Sequence, residues 1–185
     1  MSNPAPRAAL HSIREIKPHT FIFEKRQALP DFLCRDMIRR FEASQNEQYA
    51  GRIGQAVSLD DSIKRSTDLV VSGKERWKDV DNNLFRSLGL ALKEFREAFP
   101  YFKGPFKDMG YAIQRTLPGE FYHWHIDGGS HEFSQRQLVA VWYLNDVAGP
   151  GGRVEAERLR EVGVGPRDEV WAVLLGRPNG QDRDG

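Results

Sequence analysis

Near Pro105 the chain changes its hydrophobic period, and that change limits what it can fold into. Before it, apolar residues recur at helical spacing; after it, they come in short runs broken by glycine and proline. Leu84, Leu88, Leu92, Phe95 and Phe99 form a stripe on a helix that opens at Asp79 or Asp81 and stops at Pro100. A partner interface could use such a stripe, but packing on a sheet accounts for it. An earlier helix opens at Pro30-Asp31, with Asp31 as N-cap and Leu33, Met37, Ile38 and Phe41 on one face. Residues 20–23 and 67–71 read as strands, and 46–64 as a loop with a short strand at Arg52-Ile53. Past Pro105 three strands are expected. They cover 109–117, ending at Pro118-Gly119; 121–127, ending at Gly128-Gly129-Ser130; and 136–145. The last is apolar on both faces over 138–144, which predicts a central, fully covered strand. Helices followed by strands imply α+β, or a β-barrel or jelly roll buttressed by helices.

Composition narrows the function classes. A length of 185 residues suits one domain with a core. Net charge is +1, so no electrostatic case for nucleic acid arises. No apolar run approaches the roughly 20 residues of a membrane helix, and residues 1–9 lack the apolar region of a secretory leader. A cytoplasmic protein without membrane or nucleic-acid partners is expected. Cys34 is the single cysteine, which excludes an internal disulfide framework and a cysteine-built zinc site. It falls in a predicted helix and reads as a structural thiol.

Three of the five histidines lie within residues 123–131. In a strand, His123, His125 and Asp127 would share one face. From 123 to 127 the backbone spans about 13 Å, too far for three collinear side chains to converge on one metal; an i, i+2 pair, about 6.6 Å apart, can. The pair is His123/His125 or His125/Asp127. The second offers an imidazole and a carboxylate, two of the three ligands in the facial triad of non-haem Fe(II) oxygenases. A bare His-x-Asp is a weak signal, since a polar strand end at the surface has the same pattern.

The surroundings are more specific. Gly110-Tyr111-Ala112-Ile113-Gln114-Arg115-Thr116-Leu117-Pro118-Gly119, followed by Tyr122-His123-Trp124-His125-Ile126-Asp127, resembles the first-ligand region of prolyl-hydroxylase-like Fe(II)/2-oxoglutarate-dependent dioxygenases. Arg136-Gln137-Leu138, Tyr143-Leu144-Asn145-Asp146 and Gly151-Gly152 are similar to the family's later phrases. The resemblance spans about residues 20–152 and includes Ser66-Thr67-Asp68 and the long Leu/Phe helix. It implies a double-stranded β-helix (jelly roll) with N-terminal supporting helices and incomplete C-terminal strands. The implied layout is a flexible N-terminus (1–18), one oxygenase domain (19–176; helical support 19–107, jelly-roll core 108–176) and a disordered tail (177–185). His125 and Asp127 would hold Fe(II), Tyr143 would contact 2-oxoglutarate, and Arg136 would contact substrate at the mouth of the site. Ascorbate would serve as reductant. The implied reaction hydroxylates a peptidyl substrate, a prolyl residue among the options, or a small molecule, and releases succinate and CO₂. Thr116 stands where some relatives carry a co-substrate-binding tyrosine. His123 would flank the site, and His131 would lie in a loop. A non-redox, cupin-like jelly roll and a catalytically dead interaction protein are the competing readings.

The pattern breaks after Gly152. The family's Gly-Gly-Glu-Thr phrase is here Gly151-Gly152-Arg153-Val154, and residues 153–185 contain no His, Lys, Ser, Thr or Phe. The distal histidine and the basic anchor for 2-oxoglutarate therefore have no counterpart there, which implies an impaired enzyme. An out-of-frame 3′ end would explain the abrupt change in composition. In-frame truncation would also explain it, and two strand-like stretches, 161–166 and 170–175, suit a continuing barrel.

Overall fold

A computed structural model describes residues 13–53, 59–102, 104–125, 138–145 and, for the backbone, 170–175. Its elements are helices α1 (Asp31–Glu42) and α2 (Lys78–Ala98) and nine strands. The strands are β1 (Arg14–Glu15), β2 (Phe23–Glu24), β3 (Tyr49–Ala50), β4 (Lys64–Arg65), β5 (Thr67–Val70), β6 (Tyr111–Thr116), β7 (Phe121–Tyr122), β8 (Val141–Tyr143) and β9 (Val170–Leu175). β3-β5-β6-β9-β8 form a five-stranded antiparallel sheet, and β1-β2 and β4-β7 form two-stranded ones. Among the described residues the sheets stay open and no closed barrel forms.

Alternation along the strands divides the large sheet into two unlike faces. Leu69, Ile113 and Trp142 lie on one face, Leu69 paired with Ile113, and Ile113 and Trp142 both in register with Val173. With Val71 and Tyr111 they form one buried core with Leu33, Met37 and Phe41 of α1, Trp77, and Val80 and Leu84 of α2. The opposite face carries Tyr49, Asp68, Gln114 and Tyr143. Tyr49 pairs with Asp68, Asp68 with Gln114, and both Gln114 and Tyr143 with Ala172. The helices thus take the apolar face and leave the polar row on the other side.

Specific contacts fix the helices to the sheet. The Arg40 guanidinium lies 4.3 Å over the Trp77 ring and reaches Asp79 at 2.9 Å, joining α1 to the start of α2. Ser87, buried on α2, accepts a hydrogen bond from the Trp142 indole at 2.9 Å and donates one to the Ala28 carbonyl at 3.0 Å. At the far end of α2, Phe95 packs edge-on to Phe23 and stacks on Phe99, anchoring the β1-β2 hairpin. α1 is capped by Pro30, and Asp31 is its first helical residue, where its charge suits the helix dipole. α2 opens on Trp77 and carries both Asp79 and Asp81 in its first turn.

Several strands differ from expectation. Within 20–23 only Phe23 lies in a strand, with the Ile22 carbonyl accepting from the Ile16 amide just before it, because Thr20 bonds back to the Lys17 carbonyl and turns the chain. Phe21 then adopts φ +56° and is 71% exposed. Arg14–Glu15, inside the N-terminal stretch expected to be flexible, forms β1. The strand near residues 49–53 is Tyr49–Ala50. Among the described residues β8 lies at the sheet's edge and not at its centre, with Trp142 buried but Val141 41% and Tyr143 48% exposed. β9 takes the inner position instead, so 170–175 forms the strand expected of it. The stretches 161–166 and 177–185 fall outside the described residues.

Candidate functional site

The polar face of the large sheet continues onto β4-β7. Residues 64–70 make one extended segment that pairs first with β7 and then with β6. A tight turn links β6 to β7: Glu120 donates to the Leu117 carbonyl at 2.9 Å, and Gly119 takes φ +84°. Pro118 followed by a positive-φ glycine suits a type II turn, as the Pro-Gly pair in the sequence implies.

Lys64, Ser66 and Asp68 occupy alternate positions and so share the polar face. The Lys64 ammonium lies 2.7 Å from Asp68 Oδ2, and the Ser66 hydroxyl donates to Asp68 Oδ1 at 2.8 Å. Both charged side chains are 5% exposed. Gly51 borders the group: a Cβ there would come within 2.2 Å of Ser66 Oγ and 2.7 Å of Lys64 Cε. Tyr49, beside Asp68, has its phenol pushed up by burial and by the Asp68 charge. Its hydroxyl and Gln114 Oε1 are buried without a hydrogen-bond partner among the described residues. Gln114 Nε2 donates to Thr116 Oγ1 at 3.2 Å.

At β7 the chain presents the histidines. His123 donates its amide to the Ile63 carbonyl at 2.9 Å, continuing the ladder, and its ring packs on Phe121. His125 departs from the strand pattern. Its imidazole stacks on Tyr122 at 3.7 Å and 16°, whereas positions 122 and 125 of a regular strand face opposite ways. Of the strand expected over 121–127, the described residues form β7 at Phe121–Tyr122 and one further ladder bond at His123, and the shared face expected for 123 and 125 is not kept. His125 Nδ1 lies 2.9 Å from the His123 carbonyl oxygen. A carbonyl accepts only from a protonated nitrogen, so this contact assigns the proton to Nδ1 and the acceptor lone pair to Nε2.

Of the residues marked by sequence, His125 follows β7 and Tyr143 lies in β8, on different sheets. Burial raises the Tyr143 phenol above its ordinary value. Asp127, Arg136 and His131 lie outside the described residues, so the His125/Asp127 pair is half described. Among the described residues no three His, Cys, Asp or Glu side chains converge on a metal position. Tyr122 and the Lys64-Ser66-Asp68 group were not singled out as site residues from sequence. The alternating Lys-x-Ser-x-Asp before Leu69 was the available signal.

The fold has a counterpart among solved structures. A crystal structure of a prolyl-4-hydroxylase from Pseudomonas putida is similar to 82% of this chain, over 89% of its own, with a TM-score of 0.53 and 18% identity. At that identity the likeness concerns the fold. No family model matches the sequence, and no curated protein does. No described helix is long and apolar enough to cross a membrane.

Proposed function

We propose that this chain is an Fe(II)- and 2-oxoglutarate-dependent oxygenase that hydroxylates a C–H bond of a peptidyl or small-molecule substrate, as a prolyl hydroxylase does. The presentation of His125 carries the reading. It follows a strand beside the polar face of a prolyl-4-hydroxylase-like fold, and its Nδ1 is engaged so that Nε2 would take the metal. With Asp127, two residues on in the sequence, it would make an imidazole–carboxylate pair, the donor chemistry that non-haem Fe(II) uses. The antiparallel sheets would belong to a double-stranded β-helix.

Bound iron would supply the oxygen chemistry that side chains cannot. The chain's own residues hold and orient. The His123 carbonyl and the Tyr122 ring fix the plane of the His125 imidazole. Tyr143 would donate its hydroxyl to 2-oxoglutarate; its raised phenol stays protonated at neutral pH and can do so. Arg136 would meet the substrate, and ascorbate would keep the iron reduced.

The test is succinate formation from 2-oxoglutarate with added Fe(II) and ascorbate, in this chain and in His125→Ala. Weak iron-dependent succinate from the parent, which lacks a distal histidine and a basic anchor after Gly152, and at least about 100-fold less from the variant are expected, since a lost metal ligand costs more than the 10–100-fold of an outer-shell change. Equal turnover in both proteins would sink the reading and favour a non-redox jelly roll; none from a folded parent would mean that the missing distal histidine and basic anchor are decisive and that the chain is the remnant of such an oxygenase.

A further inference from the structure

We propose that Lys64 and Tyr122 form a clamp that sets the orientation of the His125 imidazole, with Asp68, Ser66 and Gly51 locking the lysine in place. The functional meaning of the clamp rests on His125 being a metal ligand, as proposed above; its geometry does not.

His125 is an exposed side chain, and an exposed imidazole ordinarily samples several rotamers. A hydrogen bond from Nδ1 to the His123 carbonyl fixes one atom but allows the ring to swing about it. The Tyr122 ring restricts that swing by lying nearly parallel at 3.7 Å against the imidazole plane. Tyr122 is itself placed by a neighbour. It is the register partner of Lys64, whose ammonium lies over the phenol ring, 4.9 Å from its centroid. The phenol ring thus packs on both the imidazole and the ammonium. A cation there is attracted by the ring's negative face.

Lysine is normally a poor positioning group because its stem is flexible. Here the stem is buried and the ammonium is held at 2.7 Å by Asp68, whose second oxygen is taken by Ser66. Any side chain at Gly51 would meet Ser66 Oγ and Lys64 Cε, so the glycine is what allows the lysine to lie flat there. Asp68, Lys64, Tyr122 and His125 thus form a continuous line of contacts from the polar row to the candidate ligand. If the cluster served stability alone, its loss would destabilise the protein without changing the ring of His125.

The full chain is the material for the test. Its variants are Tyr122→Leu, Tyr122→Phe and the charge-balanced double Lys64→Met/Asp68→Asn, which avoids a lone buried charge. Circular dichroism confirms folding. Proton NMR of the His125 ring, assigned by its absence in His125→Ala, reads the stack through the upfield ring-current shift. Titration with Co(II) reads the metal site. Tyr122→Leu is expected to lose the shift and to bind Co(II) about tenfold more weakly. Tyr122→Phe restores both, and the double variant reduces both. An unchanged His125 shift in folded Tyr122→Leu overturns the clamp. Equal Co(II) affinity in parent and Tyr122→Leu also overturns it and leaves the metal reading standing. A shifted His125 ring in a parent that binds no Co(II) supports the clamp's geometry and overturns its metal-positioning role together with the metal reading.

Discussion

Removing the ammonium of Lys64 leaves Asp68 in the interior with the Ser66 hydroxyl beside it. Both charges are 5% exposed, so neither can recover hydration without opening the fold. Breaking such a pair costs about 3–5 kcal/mol, most of it the penalty of the abandoned charge. Lys64→Met and Asp68→Asn should each be strongly destabilised in urea unfolding. The double variant should be less destabilised than the sum of the two, because no lone charge remains. Additive losses would show that the pair is not coupled. At this scale the sequence was partly legible. Of the two expected iron ligands the structure describes His125, and it supplies the acceptor of its Nδ1 proton, the His123 carbonyl. That acceptor was not readable, because it depends on the chain leaving strand geometry after His123. The Lys64-Asp68 pair escaped notice because charges in a polar stretch are usually solvated, and what surrounds this one, Gly51 and Tyr122, comes from other parts of the chain.

The hairpin β1-β2 is held to α2 by one carboxylate as well as by phenylalanines. Glu94 accepts from the Ile13 amide at 2.7 Å and pairs with Lys25 at 2.5 Å. The Lys25 hydrogen bond holds the Glu94 carboxyl below its ordinary value of 4.5, partial burial opposing and the Ile13 amide assisting. A carboxyl whose folded value is lowered favours the folded state when ionised. Its contribution is therefore present above pH 4.5 and is lost as pH falls through the lower folded value. The pair is partly exposed, so the contribution is about 1 kcal/mol. Glu24, Glu47 and Asp79 are also held low, their basic partners outweighing partial burial, so the parent weakens in acid for several reasons. The difference between parent and Glu94→Gln isolates Glu94. It should be about 1 kcal/mol at pH 7 and vanish towards pH 3 in urea titrations; a difference that grows in acid would refute the assignment. Both helices were legible at this scale because their apolar stripes run over several turns. The two-residue strands were not, since so short a pairing leaves no period to read.

Across the whole molecule, the switch from helices to strands was legible, and so was a strand at 170–175. Its place in the sheet was not. The apolar run over 138–144 suggested the covered central strand, yet β9 occupies the inner position and β8 the edge. Periodicity reports how much of a strand is buried but not which strand lies beside it, and sheet order is set by long-range pairing. β9 pairs with β6 along all six of its residues and with β8 at Ala172, Val173 and Leu174. A proline in an inner strand removes a ladder donor and is confined by sterics to edges. Val173 is the middle of the three residues of β9 paired on both sides, with Ile113 and with Trp142; a proline there removes its one ladder donor, and its ring crowds the inner strand. Val173→Pro should cost about 3 kcal/mol or more, whereas Val173→Ala, which keeps the amide, should cost less. Unseating β9 also exposes the edges of β6 and β8, so the proline variant should aggregate more readily. Hydrogen exchange locates the effect, with Tyr111–Thr116 losing amide protection while α1 and α2 retain theirs longer. Unchanged stability and unchanged protection of Tyr111–Thr116 in Val173→Pro would show that β6 and β8 hold together without β9 between them.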